Sequence, residues 1–209
     1  VSLRVVSADE LLEELTRREQ EFRQEFERLL AVEETLRAEL LSWFAEPAGG
    51  QSRPAGREYL RNLARRQKRI GPQVETVRYQ FAQILAELEI NQLAGPSVHR
   101  RLSEGVIAPL DVLTRQLIPA AARLIETLAD GPTAEAFQAA DRTQQRLIGT
   151  MRAILANMLQ WEGYHEAVSL LRAVVRMQKQ LNRRTTRLLE QRIRELLTTK
   201  PSARPGGTD

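Results

Sequence analysis

The residue pair best spaced for chemistry is Glu162 and His165, an E-x-x-H of the kind that helix bundles use to hold di-iron centres. On a helix that spacing sets a carboxylate beside an imidazole, so both could ligate one ion. Such a centre needs a second E-x-x-H pair and further inward carboxylates. The only other histidine, His99, follows Pro96 and has no glutamate three residues before it. Gly163 lies inside the pair and marks a helix end, so the pair reads as a turn and cap, and no metal site is expected. Cysteine is absent, which removes thiolate ligands, disulfides and a cysteine nucleophile. There is no P-loop and no dinucleotide glycine motif. Residue types alone leave a serine–histidine–carboxylate triad open, but neither histidine has a context that suggests one. No catalytic residue and no cofactor is assigned.

Two basic clusters come next: Arg65, Arg66, Lys68 and Arg69, and separately Arg183, Arg184 and Arg187. A nucleic-acid groove adds stacking aromatics, and only Tyr59 and Tyr79 stand anywhere near. Charge is unevenly spread. From Asp9 to Glu46 there are twelve acids against five arginines; from Tyr164 to Lys200, nine bases against three acids. An acidic first helix lying beside basic ones would neutralise them within the fold, so a salt-bridged or solvated helix face is the favoured reading and nucleic acid is not the expected partner. The alternative is nucleic-acid or anionic-surface binding through the basic second and fifth helices. No apolar run approaches the roughly 18 residues of a membrane span.

The elements that position these residues are set by hydrophobic period. From Leu60 the chain reads Leu60, Leu63, Gln67, Ile70, Val74, Val77, Phe81, Ile84 and Leu88, in which only Gln67 breaks an apolar heptad seam. A helix with that seam must lay it against partner helices. Leu and Ala dominate the apolar residues and aromatics are only 5%, a bias toward helix over sheet. Val1–Val6 alternates like a short strand, the possible end of a preceding β domain or a frayed arm. Ser7 with Glu10 forms an S-x-x-E capping box for a first helix to Glu46. Its a-type series includes Glu19 and Glu33, which places that helix at the bundle edge. The stretch 47–56 is a Pro/Gly/Ser loop that reverses the chain.

The second helix, Arg57 to about Ala94, contains Gly71-Pro72, where a kink rather than a break is expected. Pro96 stops it and Ser97 caps a third segment, with a bend or short break near Pro109 and Pro119. Asp130-Gly131-Pro132 is a stop. Thr133 caps a fourth helix whose seam includes Met151 and Met158. The chain turns tightly around Gly163, and a fifth helix follows through Val175 to Thr198. Residues 200–209 have the composition of a disordered tail. The fold class is therefore all-α: an elongated antiparallel bundle of about five helices, comprising a hairpin over 7–95 and a three-helix part over 97–199. Leu63, Ile70, Val77, Phe81, Ile84, Met151, Met158 and Val175 form its seam core. Gln67, Gln144, Gln178 and Asn182, with Thr185, fall at seam positions, where a buried amide fixes register at some cost in stability.

The run Trp161-Glu162-Gly163-Tyr164-His165-Glu166, followed by Leu171-Arg172 and Met177-Gln178, resembles the end of the helical C-terminal regions of large, uncharacterised bacterial envelope proteins. The stretch from Arg66-Gln67 to Asn91 resembles them too, as does the Val5-Val6-Ser7 junction. The resemblance implies preceding β-sandwich-like modules and an extracytoplasmic location, and it brings no catalytic motif. Val1 in place of a methionine fits a piece of a larger protein. The expected function is a non-enzymatic structural or protein-interaction module, a spacer or self-association region whose partner is itself or another domain of the parent chain.

Overall fold

The computed structural model describes residues 7–45 and 54–198, and nearly all of them are helical. The helices are α1 (Ala8–Ala45), α2 (Pro54–Ile90), α3 (residues 96–130) and α4 (Ala134–Thr198). The chain divides into two compact units, Val1–Gly163 and Tyr164–Asp209. The strand-like Val1–Val6, most of the 47–56 loop and the 200–209 tail lie outside the described residues.

Local chemistry accounts for most helix ends. The Ser7 backbone N–H donates to Glu10 Oε2 (2.8 Å), and the Glu10 N–H returns to Ser7 Oγ (3.2 Å), completing the expected box. Thr133 Oγ1 accepts from the Ala136 N–H (3.1 Å) and caps α4. Two starts differ from the sequence reading. Helix α2 begins at Pro54 rather than Arg57, and α3 at Pro96 with Gly95 as its N-cap rather than at a Ser97 cap. Proline suits the first helical turn, where its missing N–H has no partner to lose and its φ is preset.

Helix α2 ends in a Schellman motif. The Leu93 N–H donates to Leu88 O (2.8 Å) and the Gln92 N–H to Glu89 O (3.0 Å). Gln92 takes the left-handed position, φ 56°, which glycine usually fills.

Helix α2 runs through Pro72 without a break. Helix α3 answers its prolines differently, with two single π turns, Ser103–Ile107 and Leu113–Leu117. Each is closed by an i→i−5 bond, from Ala108 N–H to Ser103 O and from Ile118 N–H to Leu113 O. The apolar pattern explains them. Leu102, Val106 and Leu110 step by four, as do Leu113, Leu117, Ala121 and Ile125. Each such step overshoots a full α-helical turn by about 40°. The wider π turn absorbs the extra residue and returns the stripe to the core. All seven side chains are buried.

In the first unit, cross-helix pairs fix an up-down-up-down bundle. Arg18 reaches Glu87 while Arg66 reaches Glu39, so α1 and α2 are antiparallel. Lys68–Glu126 and His99–Glu89 make α3 antiparallel to α2. Phe44 stacks on Phe137 (3.7 Å between centroids), and Arg152 pairs with Glu34, which runs α4 back along α1. The seam residues Leu63, Ile70, Val77, Phe81, Ile84, Met151 and Met158 are all buried in the core.

The expected tight turn at Gly163 is not formed, because helix continues through it. A lone glycine costs a helix interior only about 1 kcal/mol, and no proline or turn residue beside it forces a stop. The Gln92→Gly variant should stabilise the chain by about 1 kcal/mol, since a non-glycine residue is strained in the left-handed region. Chemical denaturation of the two proteins checks this; an unchanged or lowered midpoint would contradict the strain.

Candidate functional site

Two places in the described structure bring polar or apolar groups together in ways the helices themselves do not require. The first is inside the bundle. Glu33 of α1, Gln67 of α2 and Gln144 of α4 meet in the core, each with no solvent exposure. Gln67 Nε2 donates to Glu33 Oε2 (2.8 Å), and Gln144 Nε2 approaches Gln67 Oε1 at 3.4 Å. Glu33 Oε1 and Gln144 Oε1 have no hydrogen-bond partner. Two orphan acceptors favour a proton on the acid, which would turn one of them into a donor. Burial accordingly pushes the Glu33 carboxyl up to about 7, opposed by the bond from Gln67.

Gln67 and Gln144 are thus at the seam positions assigned to them, and the partner that sequence reading missed is Glu33. The signal was its place in the a-type series. Glu33 and Glu19 are both buried, so α1 is packed into the bundle rather than lying at its edge with its acids in water. Phe26, Leu36 and Leu40 of the same helix are fully buried, and they carry the acids inward with them.

Helix α3 joins α4 through a second, partly buried polar contact. Pro109 has no N–H to return to the carbonyl four residues back, at Gly105. Asn157 Nδ2 of α4 donates to that oxygen at 2.9 Å. Between α2 and α3 a groove of about 700 Å³ is lined by Gly71, Pro72, Ile118 and Pro119, with Lys68 and Arg123 among its charged residues. Lys68 is engaged by Glu126 and the groove's Glu75 by Arg78, so these two charges serve the fold.

The basic cluster on α2 is largely neutralised in the same way. Arg65 pairs with Glu58, and Arg66 makes a bidentate contact to Glu39 (2.6 and 2.9 Å) that holds the Glu39 carboxyl below its ordinary range. Arg183, Arg184 and Arg187 of the second unit are exposed.

The second place is the helix of that unit. Val174, Met177, Leu181, Leu188, Leu189 and Ile193 are all exposed, Leu181 and Leu188 by 64% and 65%. Val174, Leu181 and Leu188 recur every seven residues. Gln178 and Asn182, expected as buried register residues, are exposed as well, and so is Thr185. These described side chains face solvent in the second unit, so they do not stand there as buried register residues. The side chains of Val175, Glu162 and His165 lie outside the described residues. Among the described residues no group of three His, Asp or Glu side chains is placed to hold a metal, and no helix is long and apolar enough to cross a membrane. No family model, no curated protein and no solved structure matches the chain.

The Glu33 carboxyl gives stability a pH dependence. Below the ordinary value of 4.5 it is protonated in folded and unfolded chains alike. As pH rises toward about 7 the unfolded chain releases the proton and the folded chain keeps it, so stability is lost progressively and levels off above that value. The loss is on the order of 3 kcal/mol. The Glu33→Gln variant should remove this component and exceed the parent in stability at alkaline pH. Denaturation of both proteins across that range tests it; parallel pH profiles would contradict a buried neutral acid.

Proposed function

We propose that this chain is a non-enzymatic protein-interaction module, a folded four-helix unit continued by a helix that another protein surface completes. The observation that carries this reading is the exposed stripe Val174, Met177, Leu181 and Leu188, flanked by Leu189 and Ile193. Side chains of this size each release about 1.5–3 kcal/mol on full burial, so leaving a row of them in water is unfavourable unless a partner covers them. A bare spacer helix has no need of such a row. The polar groups of the bundle core support a structural role for that unit, because Glu33, Gln67 and Gln144 are closed off from solvent and from any substrate.

If the stripe serves contacts outside the chain, it contributes nothing to the bundle. The double variant Leu181→Asp with Leu188→Asp should leave the thermal unfolding of the full chain unchanged to within about 0.5 kcal/mol. A loss of several kcal/mol would mean that the stripe belongs to the chain's own core, and the interaction reading would fall.

A further inference from the structure

The groove between α2 and α3 is built where each helix carries a proline, Pro72 on one side and Pro119 on the other. Its volume of about 700 Å³ falls within the roughly 300–1,000 Å³ of small-molecule sites, and Gly71 and Ile118 complete its apolar floor. The prolines leave backbone oxygens without their helical donors. Pro72 has no N–H to return to Lys68 O. On α3 the π turn sends the Ile118 N–H to Leu113 O, past Thr114 O, and Pro119, next in line, has none to give it. A helical carbonyl points toward the residues three and four places on. Lys68 O therefore lies beside Gly71 and Pro72, and Thr114 O beside Ile118, among residues that line the groove. Pro109 leaves the same gap at Gly105 O, and there Asn157 fills it. Among the described residues no side chain donates to Lys68 O or Thr114 O.

Both oxygens are acceptors, so a ligand that fits them brings a donor. The charges of the groove point to a neutral one. Lys68 is held by Glu126 and Glu75 by Arg78, while Arg123 is in no ion pair among the described residues. An anion would meet the carbonyl oxygens and Glu75; an ammonium would meet Arg123 and Lys68. A guanidinium without a carboxylate partner complements the negative face of an aromatic ring, and the two prolyl rings offer that ring an apolar bed. We infer that this groove binds a small neutral aromatic molecule carrying one N–H or O–H, an indole or a phenol. Its ring lies over Pro72 and Pro119 against Arg123, and its donor meets Lys68 O or Thr114 O.

Indole, N-methylindole and hexanoate, titrated in turn against the full chain and followed through its backbone amide resonances, test this. Indole should shift the amides of Gly71, Gln73, Ile118 and Arg123. It should bind at least roughly threefold more tightly than N-methylindole, which keeps the ring and lacks the donor. The double variant Pro72→Ala, Pro119→Ala offers an N–H on each helix, and alanine suits a helix interior, so its thermal unfolding should be no lower. In that variant the preference for indole over N-methylindole should vanish. Arg123 is exposed, so Arg123→Gln keeps the fold and should weaken indole by roughly twofold to fivefold. Equal binding of indole and N-methylindole, or a preference that survives the proline variant, overturns the inference. So does an absence of amide shifts up to millimolar indole. Hexanoate binding that exceeds indole and is lost in Arg123→Gln overturns it in favour of an anionic amphiphile. Self-association that shifts the same amides without ligand overturns it in favour of a second copy. The stripe of the second unit takes no part in any of these outcomes, so the interaction reading stands or falls separately.

Discussion

An amphipathic helix gains stability in water only where its apolar stripe leaves the solvent, and that constraint divides this protein at Gly163. Before it, α1, α2, α3 and the first part of α4 bury their stripes against one another, down to Phe26, Phe81, Leu110 and Met151. Beyond it, the described side chains from Met177 to Arg194 are all exposed, apolar ones included. On the interaction reading proposed above, the same physics that holds the bundle together gives that exposed row a reason to be covered. Isolated helices are marginal in water, so on that reading a partner would contribute much of that helix's stability.

Inside the bundle the polar contacts work as register marks. Glu33, Gln67 and Gln144 tie three helices at one level, and Asn157 ties α4 to the carbonyl that Pro109 leaves free on α3. Their net energetic value is modest or negative, since a buried carboxyl with one orphan oxygen is costly. On the register reading what they supply is uniqueness: a seam of leucines alone has several nearly equivalent registers, and these groups favour the one that brings them together.

Much of this was legible in the residues. The heptad series from Leu60 to Leu88 predicts a buried face and has one, and the Ser7 box and Thr133 cap mark real helix starts. The prolines were harder, because Pro54 and Pro96 read as loop and stop signals yet serve as first-turn residues. The π turns left a trace in the repeated four-residue steps of Leu102, Val106 and Leu110, which an α-helical template does not flag as a change of ladder. Gln178 and Asn182 misled for a different reason. The second unit's helix carries apolar residues on neighbouring lines, through Val174–Leu181–Leu188 and through Leu189 and Ile193, with polar residues between them. Periodicity shows that such a face exists; only a neighbouring surface decides whether it is covered, and the described side chains of this one are exposed.

Hydrogen exchange of the full chain in dilute solution tests the division at Gly163 most directly. Amides of α1, α2, α3 and residues 134–158 should exchange only through cooperative opening of the bundle, while those of 177–194 should exchange far faster. Protection across 177–194 equal to that of the bundle would show the stripe already buried, and would contradict an apolar face awaiting a partner.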